Sequence, residues 1–288
     1  MAFMEKVAAS IVVYKTDVKI LQRAVESFQS STLTGKLSII DNSPTDTLRE
    51  SSVAWGAQYF FSSANIGYGK AHNIAMKESL TNTQYHLVLN PDVYFEKDTI
   101  QKLYWFMEEH PEAGLVMPRV KDPNGRLQML CKQLPTPLNL TSRRFFPTAM
   151  WSKKLNDRYE LKNSNYDHVM NVPFLSGCFM FLSTTALKQI GLFDERFFLY
   201  AEDTDLSRRI HQKFETLYFP WAEIFHVHER GSYKNFGLTL HNLKSAAQYF
   251  NKWGWFFDRE RTIINQRAAL NSYSLMASDN TLENVGMG

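Results

Sequence analysis

The chain has 288 residues, 44% hydrophobic and 21% charged, with a formal net charge of +3. This suits one large globular domain or a domain with an appendage. The mild basicity, with no arginine-rich tract and no RNA-binding aromatic motif, argues against nucleic acid and is compatible with anionic ligands or an anionic membrane surface. Its two cysteines, Cys131 and Cys178, are far apart and form no CxxC pair, which points to a reducing compartment. No apolar run reaches membrane-span length, and residues 7–14 are too short and wrongly flanked for a signal peptide. The expectation is a cytoplasmic protein, at most peripheral to a membrane.

Residues 7–14 (VAASIVVY) read as a first buried strand. Asp17 is placed to cap a helix whose Ile20, Leu21, Ala24, Val25 and Phe28 recur at helical spacing. A second strand covers 37–40, followed by Asp41-Asn42-Ser43-Pro44. A short helix is expected over 48–55 and a third strand over 58–61. The segment from Asn65 to Asn73 opens a helix to about Leu80. Leu87-Val88-Leu89 is a strand that stops at Asn90-Pro91-Asp92, because Pro91 cannot donate within a central strand. A helix over 98–109, a strand over 114–118 and a turn at Asp122-Pro123-Asn124-Gly125 follow.

From 131 to 168 the periodicity weakens. Arg143-Arg144-Phe145-Phe146 and Trp151-Ser152-Lys153-Lys154 mix basic and aromatic residues. They read as a long surface loop, an acceptor-side lid or a membrane-surface contact. Strands return at 169–174 and 178–182, around Ser176-Gly177. Thr184 is expected to cap a helix ending at Ile190. Glu202, Asp203 and Asp205 then sit where an aromatic segment meets a helix. Acidic residues suit a helix start electrostatically, and desolvation by Phe197, Phe198 and Tyr200 would raise one carboxyl's pKa and make it a base. A last strand covers 216–220, followed by His226-Val227-His228 and Arg230-Gly231-Ser232-Tyr233-Lys234. Residues 238–253 read as an amphipathic helix. A second helix is expected to begin at the aromatic cluster 253–259, and the last stretch of about 15 residues is expected to fray.

Strands alternating with helices imply parallel βαβ units. Their carboxyl ends carry Tyr14-Lys15, Asp41-Asn42, Asn65 and Asn90-Asp92, and that edge of an open α/β sheet is where ligands bind. Gly67-x-Gly69-x-x-His72 lacks the third glycine of a dinucleotide fingerprint and follows the wrong strand. There is no phosphate-binding Gly-rich Lys loop and no Gly-x-Ser-x-Gly elbow. A nucleotide edge, a carboxylate able to hold a hard cation and an acidic cluster able to supply a base fit transfer of a group from a nucleoside diphosphate. Two other readings compete. A sugar-phosphate nucleotidyltransferase would release pyrophosphate from a nucleoside triphosphate. A non-catalytic module would carry a decayed site.

The motif order resembles the family 2 glycosyltransferases of GT-A fold, closest to a bacterial rhamnosyltransferase-like branch. The carrying residues are Ile40-Asp41-Asn42-Ser43; Asn65-Ile66-Gly67-Tyr68-Gly69-x-Ala71-x-Asn73; Leu89-Asn90-Pro91-Asp92-Val93; Ser176-Gly177; Gly191-x-Phe193-Asp194-Glu195-x-Phe197-Phe198-x-Tyr200-x-Glu202-Asp203-x-Asp205-Leu206; and Pro220 followed by His226. The resemblance implies a Rossmann-like, mostly parallel sheet in a catalytic domain over 1–235, with C-terminal helices over 236–288 for a membrane surface or a second copy.

It also implies that Asp41 reads a pyrimidine base in a pocket lined by Tyr14. Asn65, Gly67 and Asn73 would border the nucleotide. Asp92 would hold Mg²⁺ or Mn²⁺, with Asn90 in place of the usual first Asp. His226 would be a further ligand, with His228 its competitor. Asp203, beside Glu202, would be the general base of an inverting transfer. Arg209 would pair with phosphate or with Asp205. The implied donor is a dTDP- or UDP-sugar, dTDP-rhamnose first. The implied acceptor is a lipid-linked saccharide in O-antigen or capsule synthesis.

Overall fold

The computed structural model describes residues 5–140, 150–227 and 236–282. The basic aromatic run at 143–146, His228 and the 230–234 segment lie outside the described residues.

The first half of the chain builds as its pattern implies. β1 (Glu5–Val13), α1 (Val18–Gln29), β2 (Thr34–Asp41), α2 (Arg49–Ala54), β3 (Gln58–Phe61), α3 (Tyr68–Asn82) and β4 (Thr83–Leu89) give parallel strands in the order β3-β2-β1-β4. Asp17 caps α1 by accepting the Lys19 amide, satisfying one of the free donors of the first turn. Leu21, Val25 and Phe28 are fully buried, each contributing about 1.5–3 kcal/mol. Because β2 and β4 flank β1, the carboxyl ends of β1, β2 and β4 lie side by side.

Beyond β4 the sheet is mixed. β5 (Val93–Phe95), α4 (Thr99–Glu109), β6 (Ala113–Lys121), β7 (Cys131–Lys132), α5 (Met150–Tyr159), β8 (Met170–Asn171) and β9 (Phe174–Leu175) lead to β10 (Phe179–Ser183), α6 (Thr184–Ile190), α7 (Glu202–His211) and β11 (Glu215–His226). Among the described residues the main sheet has nine strands in the order β3-β2-β1-β4-β10-β6-β11-β5, with β8 also on β11. β10 runs antiparallel to both β4 and β6, whereas β11 is parallel to β6. The expected parallel arrangement therefore holds over 5–89, and the second half departs from it.

Two expected strands, 114–118 and 216–220, run on past their last residues, Pro118 and Pro220. β10 pairs with β6 only at Leu115 and Val116, so Pro118 needs no donor on that side. Pro220 falls where the register of β11 shifts between Phe219 and Glu223, an irregularity that tolerates a missing N–H. β11 thus continues to His226, which lies opposite Val93 of β5. The Ser183 side chain, not Thr184, caps α6. The Thr184 hydroxyl instead donates to the Thr83 and Gln84 carbonyls of β4. The supposed surface loop contains α5, with Ser152 and Tyr159 buried, and β7, which pairs with β9.

α8 (Phe236–Trp253) and α9 (Arg259–Leu282) follow. The aromatic cluster expected to open the second helix lies in the connection between them, and α9 runs to Leu282, into the stretch expected to fray, whose last residues, 283–288, lie outside the described residues. Both helices are tied to the rest of the molecule. Tyr249 and Phe250 pack on Phe197. Lys252 pairs with Asp194 and Asp205 at 2.8 and 2.7 Å, and Arg208 of α7 pairs with Asp258 at 2.7 Å. Among the described residues, no helix is long and apolar enough to cross a membrane.

Candidate active site

The turn after β4 gains its partner through strand register. The Asn90 amide donates to the Cys178 carbonyl at 2.9 Å, and the Asp92 backbone carbonyl accepts the Val227 amide at 3.0 Å. That pairing carries His226 Nε2 to 3.4 Å from Asp92 Oδ2. The other ring nitrogen, Nδ1, lies 3.1 Å from Gln128 Oε1, and Gln128 Nε2 donates to the His226 carbonyl at 2.8 Å. Burial opposes a charge on the imidazole. Cys178 and the Asp92 carboxylate outweigh it and push its pKa up to about 10. Gln128 belongs to no motif legible in the sequence.

The pair fits a cation. A cation would have to displace the Nε2 proton; an imidazole nitrogen and a carboxylate oxygen 3.4 Å apart can then both face one ion, and the anchored second nitrogen fixes the ring. Mg²⁺ and Mn²⁺ bind through one or two carboxylates while keeping water and substrate phosphates. Asp92 and His226 would hold such an ion. Among the described residues there is no group of three or more His, Cys, Asp or Glu that could hold a metal by themselves.

Gly67 precedes α3 with φ +95°, and a Cβ there would lie 2.6 Å from the Phe198 carbonyl oxygen. Only glycine lets the two segments meet. Next to it, the Tyr68 amide donates to that same carbonyl at 2.9 Å. Asn65 Oδ1 accepts the Gly67 amide at 3.0 Å, so Asn65 shapes the turn.

Asn73 and Asp41 both have protein partners. Asn73 is buried and clamps Phe193, accepting its amide at 3.1 Å and donating to its carbonyl at 2.9 Å. It secures the 193–200 segment. Asp41 is fully buried. Its carboxylate accepts the Tyr59 hydroxyl at 2.6 Å and the Ser43 amide at 2.8 Å, so a base reaches it only after that turn moves. Tyr14, across β1 from Asp41, is the exposed ring of this strand end.

The acidic cluster divides by environment. Tyr200 and Ala201 adopt left-handed φ values of 71° and 67°, a conformation costing non-glycine residues about 1–3 kcal/mol each and found at functional sites. They turn the chain so that α7 starts at the site. Asp205 is fully buried and neutralised by Arg209, Lys252 and Trp253. Arg209 also donates to the Ile190 and Leu192 carbonyls, so its role is structural.

Asp203 is partly exposed. Its Oδ2 accepts the Gly177 amide at 2.9 Å and its Oδ1 the Thr204 amide at 2.7 Å. A Cβ on Gly177 would come within 3.1 Å of Asp203 Cβ, so a small residue is required there. Burial pushes the Asp203 carboxyl up from its ordinary value, opposed by the Gly177 amide and Lys132. Burial and the adjacent Asp203 push Glu202 well above its ordinary value, and Glu202 Oε2 is buried with no hydrogen-bond partner.

Glu202 and Asp203 open onto a cavity of about 440 Å³. One wall is α8, with Leu243, Ala246 and Phe250. The other includes Lys132, Pro135 and Tyr159. Asp203 therefore touches two regions at once. Through Gly177 it connects to the β10 start beside Asn90, and through its own carboxylate it faces a half-enclosed space lined by apolar side chains.

Residues 10–191 match the model of the glycosyl transferase family 2. The chain is 27% identical over 259 residues to the N-acetylglucosaminyl-diphospho-decaprenol L-rhamnosyltransferase of Mycobacterium tuberculosis, covering 83% of each chain. It is 28% identical over 174 residues to the low-salt glycan biosynthesis hexosyltransferase Agl10 of Haloferax volcanii, covering 59% of this chain and 52% of that one. Among solved structures, the Pyrobaculum calidifontis mannosyltransferase PcManGT with GDP-Man and Mn²⁺ superposes with a TM-score of 0.60 at 13% identity, over 96% of this chain and 75% of that one. GalNAc-T7 with UDP, GalNAc and Mn²⁺ gives 0.60 at 15% identity, over 79% of this chain and 44% of that one. These structural likenesses carry the fold alone. The chain belongs to glycosyl transferase family 2 and is a glycosyltransferase of GT-A fold.

Proposed function

We propose that the protein moves L-rhamnose from dTDP-rhamnose to a hydroxyl of a lipid-linked saccharide, with inversion, in cell-surface glycan synthesis at the cytoplasmic face of a membrane. The observation that carries this reading is Asp203. It is a desolvated carboxylate on the lip of a cavity and one hydrogen bond away from the loop that packs on the Asn90–Asp92 turn. The choice of rhamnose and of a lipid diphosphate acceptor is supported by the likeness to the mycobacterial N-acetylglucosaminyl-diphospho-decaprenol L-rhamnosyltransferase. Another UDP-sugar donor is the second reading.

The acceptor sugar enters the cavity with one hydroxyl toward Asp203. Asp203 takes the hydroxyl proton as the oxygen attacks the anomeric carbon. The bond from that carbon to the diphosphate breaks on the opposite face, and the nucleoside diphosphate leaves with the electron pair. Tyr14, Asn65, Gly67 and Asn90 border the donor, and Asp41 and Asn73 hold that border in place. A divalent cation on Asp92 and His226 would supply positive charge to the leaving diphosphate. Replacing His226 by Ala is expected to raise the Mn²⁺ concentration for half-maximal transfer by about tenfold or more, read from a metal titration at saturating donor. An unchanged titration removes His226 from the ligand set.

The membrane contact rests on a surface feature. Trp255 lines the cavity, and beyond it Phe256 and Phe257 are 76% and 100% exposed. Two adjacent exposed phenylalanines at the cavity mouth suit insertion at a headgroup boundary. Flotation with phosphatidylglycerol vesicles at low salt should recover the protein. Phe257→Ser should weaken that binding about tenfold, from the loss of one buried aromatic side chain. No flotation of the wild type would remove the membrane from the proposal.

A further inference from the structure

Tyr68 is quoted in the Gly-rich motif but is accounted for by neither the nucleotide border nor the base. Its hydroxyl lies 2.9 Å from Asn90 Oδ1 and 2.8 Å from the Gly177 carbonyl. One phenolic proton is shared between the two acceptors. Its backbone amide donates to Phe198 at 2.9 Å. The ring meets His72 edge-on at 4.4 Å and Phe193 at 6.3 Å.

Three segments meet at this residue: the turn carrying Asn90 and Asp92, the loop carrying Gly177, and the 193–200 segment that leads into Glu202 and Asp203. The same Gly177 that accepts from Tyr68 donates its own amide to Asp203 Oδ2 at 2.9 Å. A continuous chain therefore runs from Asn90 through the Tyr68 hydroxyl and the Gly177 peptide to the Asp203 carboxylate. Burial keeps the phenol protonated.

We propose that Tyr68 is a positioning residue whose hydroxyl fixes the distance between the Asn90–Asp92 turn and the Asp203 carboxylate. This rests on the transfer reading above for its kinetic consequence, but the tie itself does not. The ring alone fills the space against His72 and Phe193, and phenylalanine would do that equally. The hydroxyl is what joins the two walls of the site. Misplacement of a reacting group by even about 1 Å slows a positioned reaction by about a hundredfold. Loss of the tie should therefore fall on turnover more than on donor binding.

The test is Tyr68→Phe, which keeps the ring. Hydrogen exchange by mass spectrometry should show exchange about tenfold faster over 87–95 and 174–183, where unsatisfied acceptors loosen the loops, with exchange over α1 unchanged. In steady-state transfer with dTDP-rhamnose and Mn²⁺, kcat should fall about ten- to a hundredfold while the donor KM changes less than about threefold. Asn90→Ala combined with Tyr68→Phe should lower kcat no further than the larger single change, because both break one chain. Unchanged exchange in the two loops overturns the tie. Faster exchange with an unchanged kcat per donor-binding protein overturns the positioning role and leaves a merely structural bond. If the wild type transfers no sugar, the functional reading fails, and the exchange result still decides the tie.

Discussion

Asp203→Asn is expected to lower sugar transfer by about 10²–10⁴-fold, the usual worth of a positioned general base, while binding of the nucleotide donor persists. Donor binding is checked by thermal shift with dTDP-rhamnose and Mn²⁺, and transfer by product formation. The substitution has a structural side effect. Both oxygens of Asp203 accept backbone amides, from Gly177 and Thr204. An asparagine must turn its NH₂ group toward one of these donors, which costs about 1–3 kcal/mol. Asp203→Ala avoids the opposed donors and should show the same loss of transfer. The base works only when ionised, and burial raises its pKa. The acid limb of the pH–rate profile of the wild type should accordingly lie above the range of an ordinary aspartate, about 3.9.

The second large effect concerns stability. Arg208 and Asp258 have side chains 1% and 4% exposed, and they pair in two-pronged fashion at 2.7 and 2.9 Å. Glu260 adds a bond at 2.8 Å, and the guanidinium sits 4.1 Å from the centre of the Trp253 ring. This cluster fastens α8 and α9 to α7, and with them the cavity wall that faces Asp203. Arg208→Met keeps most of the volume but takes the two-pronged partner from a buried carboxylate, leaving it the Arg261 amide at 2.9 Å and the Arg261 guanidinium at 3.8 Å. Breaking a buried pair in this way costs about 3–5 kcal/mol, a fall in melting temperature of about 10 °C.

The pH dependence has a defined sign. Burial would raise the Asp258 carboxyl, but Arg208 and Arg261 outweigh it and hold its pKa below the ordinary value. A carboxyl lowered on folding stabilises the protein above its unfolded pKa, and that contribution is lost as pH falls through the folded pKa. Arg208→Met should therefore destabilise most at neutral pH and progressively less on acidification. A melting temperature within about 2 °C of wild type at neutral pH would show that the pair does not hold the helices.

What the sequence made legible was the local half of the structure. The first strand, the Asp17 cap, the 58–61 strand and the turn at Asn90-Pro91-Asp92 are written in runs and punctuation a few residues long. The acidic start of α7 was legible for the same reason. What was not legible depends on long-range register. Pro220 signals a strand end locally, yet β11 absorbs it in a register shift and delivers His226 to Asp92 across more than a hundred residues of chain. Antiparallel insertion of β10 between β4 and β6 has no local mark, because its side chains are buried on both faces as in a parallel strand.

Roles were harder to read than positions. Asn73 and Asp41 stand where the motif places them, but their side chains are spent on Phe193, Tyr59 and Ser43. Conversely, Gln128 orients His226 from a stretch with no periodicity. The cavity wall on α8 was visible only as amphipathic helix. Its partner surface, Arg208 with Asp258, joins charges that a sequence shows as an ordinary solvated helix.

The central claim is that Asp203 activates an acceptor hydroxyl against a nucleoside diphosphate sugar held at the strand-end edge. Phosphorus NMR of the reaction of purified protein with dTDP-rhamnose, Mn²⁺ and a lipid-linked N-acetylglucosaminyl diphosphate acceptor tests it most directly. The wild type should release nucleoside diphosphate one for one with rhamnose transferred, and the Asp203→Asn protein almost none. Equal release by the two proteins, or pyrophosphate formed from a nucleoside triphosphate and a sugar phosphate, would contradict it.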